Sequence, residues 1–279
     1  MTRRLTAVLL AGVLAGAVTA APAPAASRRA SVMTRSDTAR EQTTRVLARL
    51  LSHGATLAGT PTAREPRVLA PSRSRGATLA GIVAATPASS APGGRHIWWV
   101  STQTTWSGEP QILLVLRSAW RSGREWLKVL LPIRPDGTAG WIPRDNVVLM
   151  STPFWITVSK PDRRVRVYRN GTLIRSFLAV IGNPATPTPD GLAAIYEIDR
   201  QADPNGFEGP WALPLTALSN VLNNFGGGPG RVAIHGRAGA SLSDPLGSAR
   251  SHGCIRVANR AVDWLARSVP QGTPVQIIG

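Results

Sequence analysis

The chain has 279 residues, 43% of them hydrophobic, which is enough to bury one or two globular cores and excludes a wholly disordered chain. Its formal net charge is +17, and all of its basic residues except Lys128 and Lys160 are arginine. A single cysteine excludes an intramolecular disulfide, and a field of this size favours anionic partners.

Residues 1–26 are predicted to be a secretory signal peptide. A short basic start precedes an uncharged apolar run from Leu5 to Ala21, and small-residue cleavage sites follow at 21–23 and 23–25. A retained membrane anchor is the alternative, although the run falls short of the ~20 residues that span a bilayer. No other stretch is long and apolar enough to cross, so we expect export to the cell wall, on the outer side of the cytoplasmic membrane.

Residues 27–95 are predicted to form a disordered Ala/Arg/Pro-rich tether, because no aromatic residue occurs from Ser27 to Gly94. The exception is Asp37 to Ser52, whose apolar residues share one side of a helical wheel and predict a short helix. In an exported chain the basic tether favours anionic wall polymers or the membrane surface, and no nucleic acid is expected. Arginine enrichment without a binding function is the alternative.

Residues 96–152 are predicted to form a small antiparallel β module rich in tryptophan. Strands are indicated at Ile112–Leu116, Trp126–Leu131 and Gly140–Ile142, with glycine- and proline-containing turns between them. Tryptophans in a short β module are usually core residues, and a sugar-stacking surface is the alternative.

Residues 153–279 are predicted to form a second β-rich domain, so the fold class is mainly β. Asn170-Gly171 between two alternating runs predicts a hairpin with a type I′ turn. A short helix is expected after Asn259, which can cap it, and a last strand at Pro274–Ile278. The other predicted strands are Trp155–Ser159, Val165–Arg169, Leu173–Val180, Ala193–Ile198 and Arg231–Ile234.

Two histidines and the only cysteine lie within twenty residues of one another, in Ile234-His235-Gly236 and Ser251-His252-Gly253-Cys254. A lone exported cysteine can form an intermolecular bridge, stay inert, or act as a nucleophile. A nucleophile needs an imidazole or a positive field to hold its thiolate, which His235 and Arg256 can supply. The N–H groups of Gly253 and Cys254 can face a developing oxyanion.

The same residue types are also zinc ligands, which makes a metal site the competing interpretation. Structural zinc sites need four protein ligands, however, and the chain has neither a second cysteine nor a CxxC motif. We therefore expect no metal and no cofactor.

These motifs resemble the signature of the L,D-transpeptidase catalytic domain (YkuD-like). The resemblance extends upstream to Gly182 and the run 186–191, and downstream to Asn259 and Gly272–Val275, so it covers about Phe154 to Ile278. Segments 126–129 and 140–143 also resemble the small β module that often precedes this domain.

The resemblance implies an enzyme whose cysteine attacks a peptidoglycan stem tetrapeptide, releases D-alanine and passes the acyl group to an amine, forming a cross-link. It implies Cys254 as nucleophile, His235 as general base and the carbonyl of Gly236 as the group that orients the imidazole. The N–H groups of Gly253 and Cys254 would form the oxyanion hole. Residues implied to line the site or contact substrate are Ser251, His252, Arg256, Thr188 and Trp211.

The sequence departs from the family pattern in two places. Arg237 stands where a small hydroxyl residue is common, and can either point at the base and depress its proton affinity or face solvent. The expected lid, Asp203–Gly230, has no tyrosine, so Trp211 or Phe225 is the candidate lid aromatic.

Two other functions fit the sequence. An L,D-carboxypeptidase or cysteine peptidase would pass the same thioester to water, and a non-catalytic wall-binding protein would use the tryptophan-rich module and basic tether.

Overall fold

The computed structural model describes residues 35–52, 55–57 and 70–279. The predicted signal peptide and residues 27–34, 53–54 and 58–69 of the predicted tether lie outside these residues. Helix α1 (Arg35–Leu51) confirms the helix predicted from the apolar spacing. No helix of the described part of the chain is long and apolar enough to cross a membrane.

Eight antiparallel strands form the first sheet, in the order β1-β8-β2-β5-β6-β7-β3-β4. Its core consists of aliphatic residues from alternate strand positions, including Leu113, Leu127 and Ile142. The antiparallel module is thus confirmed. The strands are β1 (Thr56–Leu57), β2 (Ala77–Ile82), β3 (Thr86–Ser89), β4 (His96–Val100), β5 (Ile112–Arg121), β6 (Arg124–Leu130), β7 (Ala139–Pro143) and β8 (Val147–Thr152).

This sheet reaches further back than the expected boundary at residue 96, because β1, β2 and β3 come from the segment assigned to the tether. The structural reason lies in close packing against α1. A Cβ on Gly81 would stand 2.1 Å from Cγ1 of Val46, and Leu79 and Ala80 are fully buried. The small residues that suggest disorder in the sequence here allow a helix to approach a sheet.

The second sheet has ten strands and begins at Phe154. Its order is β12-β18-β9-β10-β11-β17-β15-β14-β13, with β16 paired to β11, and three pairs are parallel: β9 with β18, β15 with β17, and β11 with β16. The strands are β9 (Phe154–Ser159), β10 (Arg164–Arg169), β11 (Thr172–Gly182), β12 (Gly191–Ala194), β13 (Asp199–Arg200), β14 (Trp211–Leu218), β15 (Arg231–His235), β16 (Ala249–Ser251), β17 (Ile255–Val257) and β18 (Pro274–Ile278).

Local sequence signals around this sheet are largely confirmed. Asn170 and Gly171 have φ values of 49° and 82°, as a type I′ turn requires. Helix α2 (Asn259–Ser268) buries Val262 and Leu265 on one face. The cap differs from the prediction, because Ala258 occupies that position and the Asn259 side chain accepts a hydrogen bond from the Arg237 N–H instead.

The expected lid is shorter than predicted. Residues 211–218 of that segment form the buried strand β14, which pairs with β15 on one side and with the edge strand β13 on the other. Two segments of the expected lid remain outside this strand, 203–210 and 219–230, and the second is here called the flap.

The first sheet packs directly on the second. Leu79, Ile112 and Met150 share a buried cluster with Ala194, and the Gln271 amide donates to the carbonyls of Pro110 and Tyr196. The two sheets therefore form one continuous body around the segment that carries the cysteine.

Candidate active site

Parallel pairing of β15 and β17 brings the histidine and the cysteine together. Ile234 pairs with Ile255, so Cys254, the residue before β17, lies beside Ala233. Side chains two apart on a strand share a face, and His235 therefore projects on the same side as Ala233. A parallel pair with this register converts two motifs nineteen positions apart into one site.

His235 is fully enclosed and held in one orientation. It is 1% exposed, and its Nδ1 lies 2.8 Å from the carbonyl oxygen of Gly236. With Nδ1–H donating to that carbonyl, Nε2 is left as the basic nitrogen. Burial, together with the nearby Arg256 charge, lowers the pKa of His235 to about 4.

The cysteine is held as a neutral thiol. Burial raises the pKa of the Cys254 thiol, and the Glu208 carboxylate raises it further, against opposing effects from the Ala233 backbone and Arg256. A neutral imidazole beside a neutral thiol is therefore the resting state at neutral pH. The sequence indicated that His235 and Arg256 hold Cys254 as a thiolate. In the structure, the loss of hydration on burial favours the neutral thiol more strongly than the charge of Arg256 favours the thiolate.

The loop before the cysteine is held by two buried hydroxyl groups. Ser251 donates to the carbonyl of Cys254 at 2.5 Å and accepts from the Gly253 N–H at 3.1 Å. Thr188 donates to the carbonyl of Gly253 at 2.8 Å and accepts from the Gly182 N–H at 2.9 Å. Both side chains are at most 1% exposed, so they position the loop and do not face substrate as the resemblance implies.

This arrangement also changes the expected oxyanion hole. The Gly253 N–H is occupied by Ser251, which leaves the Cys254 N–H as the candidate donor of the two. Gly253 has φ of 115°, a conformation that L side chains rarely adopt, and this turn aims the following residue into the cavity.

The two arginines near the base have different roles from those expected. Arg256 is 3% exposed, pairs with Asp244 and lies over the ring of Phe207, so it acts on His235 through its charge and has no open path to substrate. Arg237 donates to the carbonyls of Ser241, Leu242 and Asp244. It points neither at the base nor freely into solvent.

The flap contributes one aromatic side chain, Phe225, to the lining of the cavity. Phe225 and Gly228 exchange backbone hydrogen bonds around Gly226 and Gly227, both with positive φ, as in a tight two-residue turn. The Phe225 ring stacks on the exposed ring of His252, with centroids 5.7 Å apart. Of the two candidate lid aromatics, Phe225 thus lies at the site.

Trp211 does not line the cavity of the cysteine. Its neighbour Ala212 faces that cavity, whereas the Trp211 indole N–H donates to Asp263 on α2 at 3.1 Å. Alternation along β14 therefore turns the indole to the other face, where it borders a second groove.

The cavity at Cys254 has a volume of about 340 Å³ and includes residues that the sequence did not single out. Trp106 reaches it from the first sheet, and Asp199, Glu208 and Arg231 line it from the second. Burial, with Glu197 as a second cause, raises the pKa of Asp199 to about 7. Although Glu208 is exposed overall, lost hydration in the cavity raises its pKa as well.

The first sheet also holds the flap in place. The Arg134 guanidinium donates to the carbonyls of Ser219, Leu222 and Pro229, and Arg231 donates to the carbonyl of Pro132.

Within the described residues, no group of three or more His, Cys, Asp or Glu side chains is arranged to hold a metal ion.

Comparison with known proteins gives consistent matches. A family model described as the L,D-transpeptidase catalytic domain, YkuD, matches residues 153–277. A curated relative of Bacillus licheniformis, named "Putative L,D-transpeptidase YkuD", is 35% identical over 157 residues, which is 54% of this chain and 85% of the relative. A relative of the same name from Bacillus subtilis is 30% identical over 154 residues, covering 53% and 84%. A solved L,D-transpeptidase of Mycobacterium smegmatis is 15% identical with a TM-score of 0.37, covering 56% of this chain and 90% of that one.

Proposed function

Because the chain belongs to the YkuD family of L,D-transpeptidases, we propose that it is an exported enzyme that cross-links peptidoglycan through a thioester on Cys254. The observation that carries this proposal is the placement of Cys254 and His235 on adjoining parallel strands, with the imidazole fixed by the Gly236 carbonyl. The donor is a stem tetrapeptide, and the bond broken joins its third residue to the terminal D-alanine.

Acylation begins from the neutral pair. Nε2 of His235 takes the thiol proton as sulfur attacks the carbonyl carbon, so the thiolate exists only while it reacts. The Cys254 N–H is placed to stabilise the oxyanion of the tetrahedral intermediate. The imidazolium then gives its proton to the leaving amine, the C–N bond breaks, and D-alanine departs.

Transfer reverses the proton path. An amine of a second stem attacks the thioester carbonyl, and His235 accepts a proton from that nitrogen. The C–S bond breaks, and the imidazolium returns the proton to the Cys254 thiolate. The low proton affinity of the buried imidazole favours this return, because the enclosed site penalises an imidazolium.

The proposed setting is the cell wall. Residues 1–26 act as an export signal, and the basic residues of the tether attract anionic wall polymers or lipid headgroups. Both statements rest on sequence composition.

The purified protein, incubated with disaccharide tetrapeptide, should give a Cys254 thioester, free D-alanine and cross-linked dimers by mass spectrometry. Cys254→Ala should give none of these products while keeping its unfolding midpoint. Tripeptide monomers without dimers, in the presence of abundant acceptor amine, would assign the hydrolase activity instead. Wall binding without any turnover would assign the binding protein.

A further inference from the structure

A groove between the two sheets adjoins the catalytic cavity. It has a volume of about 540 Å³ and shares Trp106 and Asp199 with the cavity of Cys254. We call it the inter-sheet groove, bordered by Arg49, Trp106, Glu109, Asp199, Arg200 and Trp211. Trp106 and Asp199 therefore stand at the junction of two spaces, of which only one contains the nucleophile.

Trp106 is held at this junction by the second sheet. Its backbone N–H donates to the buried carboxylate of Glu197 at 3.3 Å, and the preceding Thr105 is hydrogen bonded to the Tyr196 hydroxyl. The Arg231 guanidinium lies 5.3 Å from the Trp106 ring centroid. The indole is nevertheless 48% exposed, so a fixed aromatic face is presented to whatever fills the two spaces.

Transpeptidation requires two peptides at one thioester, and one cavity does not suffice for both. At about 340 Å³ the cavity of Cys254 lies near the lower end of the range for a single ligand. The flap and the cysteine loop border this cavity, so the donor acyl chain attached to Cys254 occupies it. The second peptide needs another space that opens towards the thioester.

The charges of the inter-sheet groove suit a zwitterionic peptide. Arg200 is exposed and supplies a positive charge, and the half-buried Asp199 supplies a carboxyl group beside the Trp106 and Trp211 indoles. The Glu109 carboxylate is already paired with Arg49, at 3.6 Å. An acceptor stem carries carboxylates and a reactive amine. An ammonium entering beside Asp199 favours the ionised carboxylate, and the attraction is strongest at the junction with the catalytic cavity.

We propose that the inter-sheet groove is the acceptor subsite, and that the acceptor amine reaches the thioester past Trp106. This inference rests on the proposed transpeptidase function. The first β module then contributes directly to catalysis, because Trp106 is the side chain over which acceptor and donor meet.

Two variants test the groove independently. Trp106→Ala removes the shared wall, and Arg200→Ala removes a groove residue that does not line the cavity of Cys254. Trp120→Ala is the matched control, since that tryptophan lies in the same module, is 47% exposed and borders neither space. Trp106→Phe keeps an aromatic face and tests for rescue.

The assay uses a tetrapeptide donor with an isotope-labelled tripeptide acceptor, which has no D-alanine to release. We expect Trp106→Ala and Arg200→Ala to lower the ratio of dimer to hydrolysed donor about fivefold and to raise the KM for acceptor. In Arg200→Ala, where the changed side chain does not line the cavity of Cys254, release of D-alanine from donor alone should stay within about twofold of the unmodified protein. Trp106→Phe should restore the ratio, and Trp120→Ala should not change it.

Two results would overturn the inference: an unchanged ratio in both groove variants, or, in Arg200→Ala, D-alanine release from donor alone falling in parallel with dimer formation. If Trp106→Ala does not fold, the ratio of dimer to hydrolysed donor in Arg200→Ala tests the inference by itself. A failure of the proposed function is distinct, because the unmodified protein would then release no D-alanine.

Discussion

Replacing Thr188 by valine tests whether this buried hydroxyl positions the nucleophile. The side chain is 1% exposed and bridges the Gly182 N–H and the Gly253 carbonyl, at 2.9 and 2.8 Å. Valine keeps the shape of threonine but leaves both backbone groups without a partner. Since each such buried group costs about 1–3 kcal/mol, Thr188→Val should lower the free energy of unfolding by about 2–6 kcal/mol.

Thr188→Val should slow acylation more than an equally destabilising substitution outside the cysteine loop does. The Gly253 carbonyl belongs to the turn that aims Cys254, and a shift of about 1 Å there can slow acylation roughly tenfold to a hundredfold. Thr216→Val is the control, because Thr216 is also buried but accepts one hydrogen bond, from the Ala194 N–H, outside the cysteine loop. It should lose about 1–2 kcal/mol of stability and acylate at the normal rate.

Urea unfolding followed by tryptophan fluorescence measures the stability, and intact mass during reaction with a carbapenem measures acylation. Thr188→Ser should recover most of the rate, because the hydroxyl remains. The reasoning fails if Thr188→Val acylates as fast as the Thr216 control, or if it loses less than about 0.5 kcal/mol.

Four further predictions follow from the site. The pH profile of acylation should show a plateau that falls on the acid side near pH 4, the value to which burial lowers the pKa of His235, and a midpoint near 6.5 would contradict the enclosed imidazole. Because the unfolded chain binds that proton from about pH 6.5 downward and the folded chain does not, His235 should lower stability between pH 6.5 and 4, whereas Asp199, with a pKa raised to about 7, should raise it as pH falls. The urea midpoint of Asp199→Asn should therefore decrease more steeply over this range than that of the unmodified protein. Gly253→Ala should abolish acylation while the protein remains folded by circular dichroism, since φ of 115° strains any L side chain. Trp211→Phe removes the hydrogen bond to Asp263, so it should lower the free energy of unfolding by about 1 kcal/mol and leave carbapenem acylation at the normal rate. A large loss of acylation would indicate that the indole contacts the cavity of Cys254.

Local sequence signals predicted the parts of the fold that local chemistry determines. The Asn170-Gly171 turn, the amphipathic face of α2 and the alternating strands of the first sheet all depend on neighbouring residues, and all are confirmed. The strands β2 and β3 were missed because alanine and glycine are common in disordered segments. The burial of β2 depends on its contact with α1, and that of β3 on the core of the first sheet, and neither contact is encoded by the neighbouring sequence.

The residues of the site also fall into two groups, those that the sequence motifs identify and those that only the packing of the fold places. The motifs identify Cys254 and His235, which pairing of β15 with β17 makes neighbours. Sequence reasoning gave Thr188 and Ser251 the wrong surroundings, because a hydroxyl near a cysteine looks the same whether it faces substrate or backbone. Trp106 carried no distinguishing signal among nine tryptophans, since only the packing of the first sheet on the second brings it to the cavity.

The resting protonation state has a consequence for a reactive thiol in the proposed extracellular setting. A preformed thiolate would react with disulfides and peroxides whether or not substrate is present. Burial raises the pKa of Cys254 and lowers that of His235, so the ion pair is disfavoured until a carbonyl carbon accepts the sulfur electrons. In the proposed mechanism the proton therefore leaves sulfur only when a carbonyl carbon is attacked, and the same burial that disfavours a resting thiolate keeps the His235 imidazole neutral and able to accept that proton.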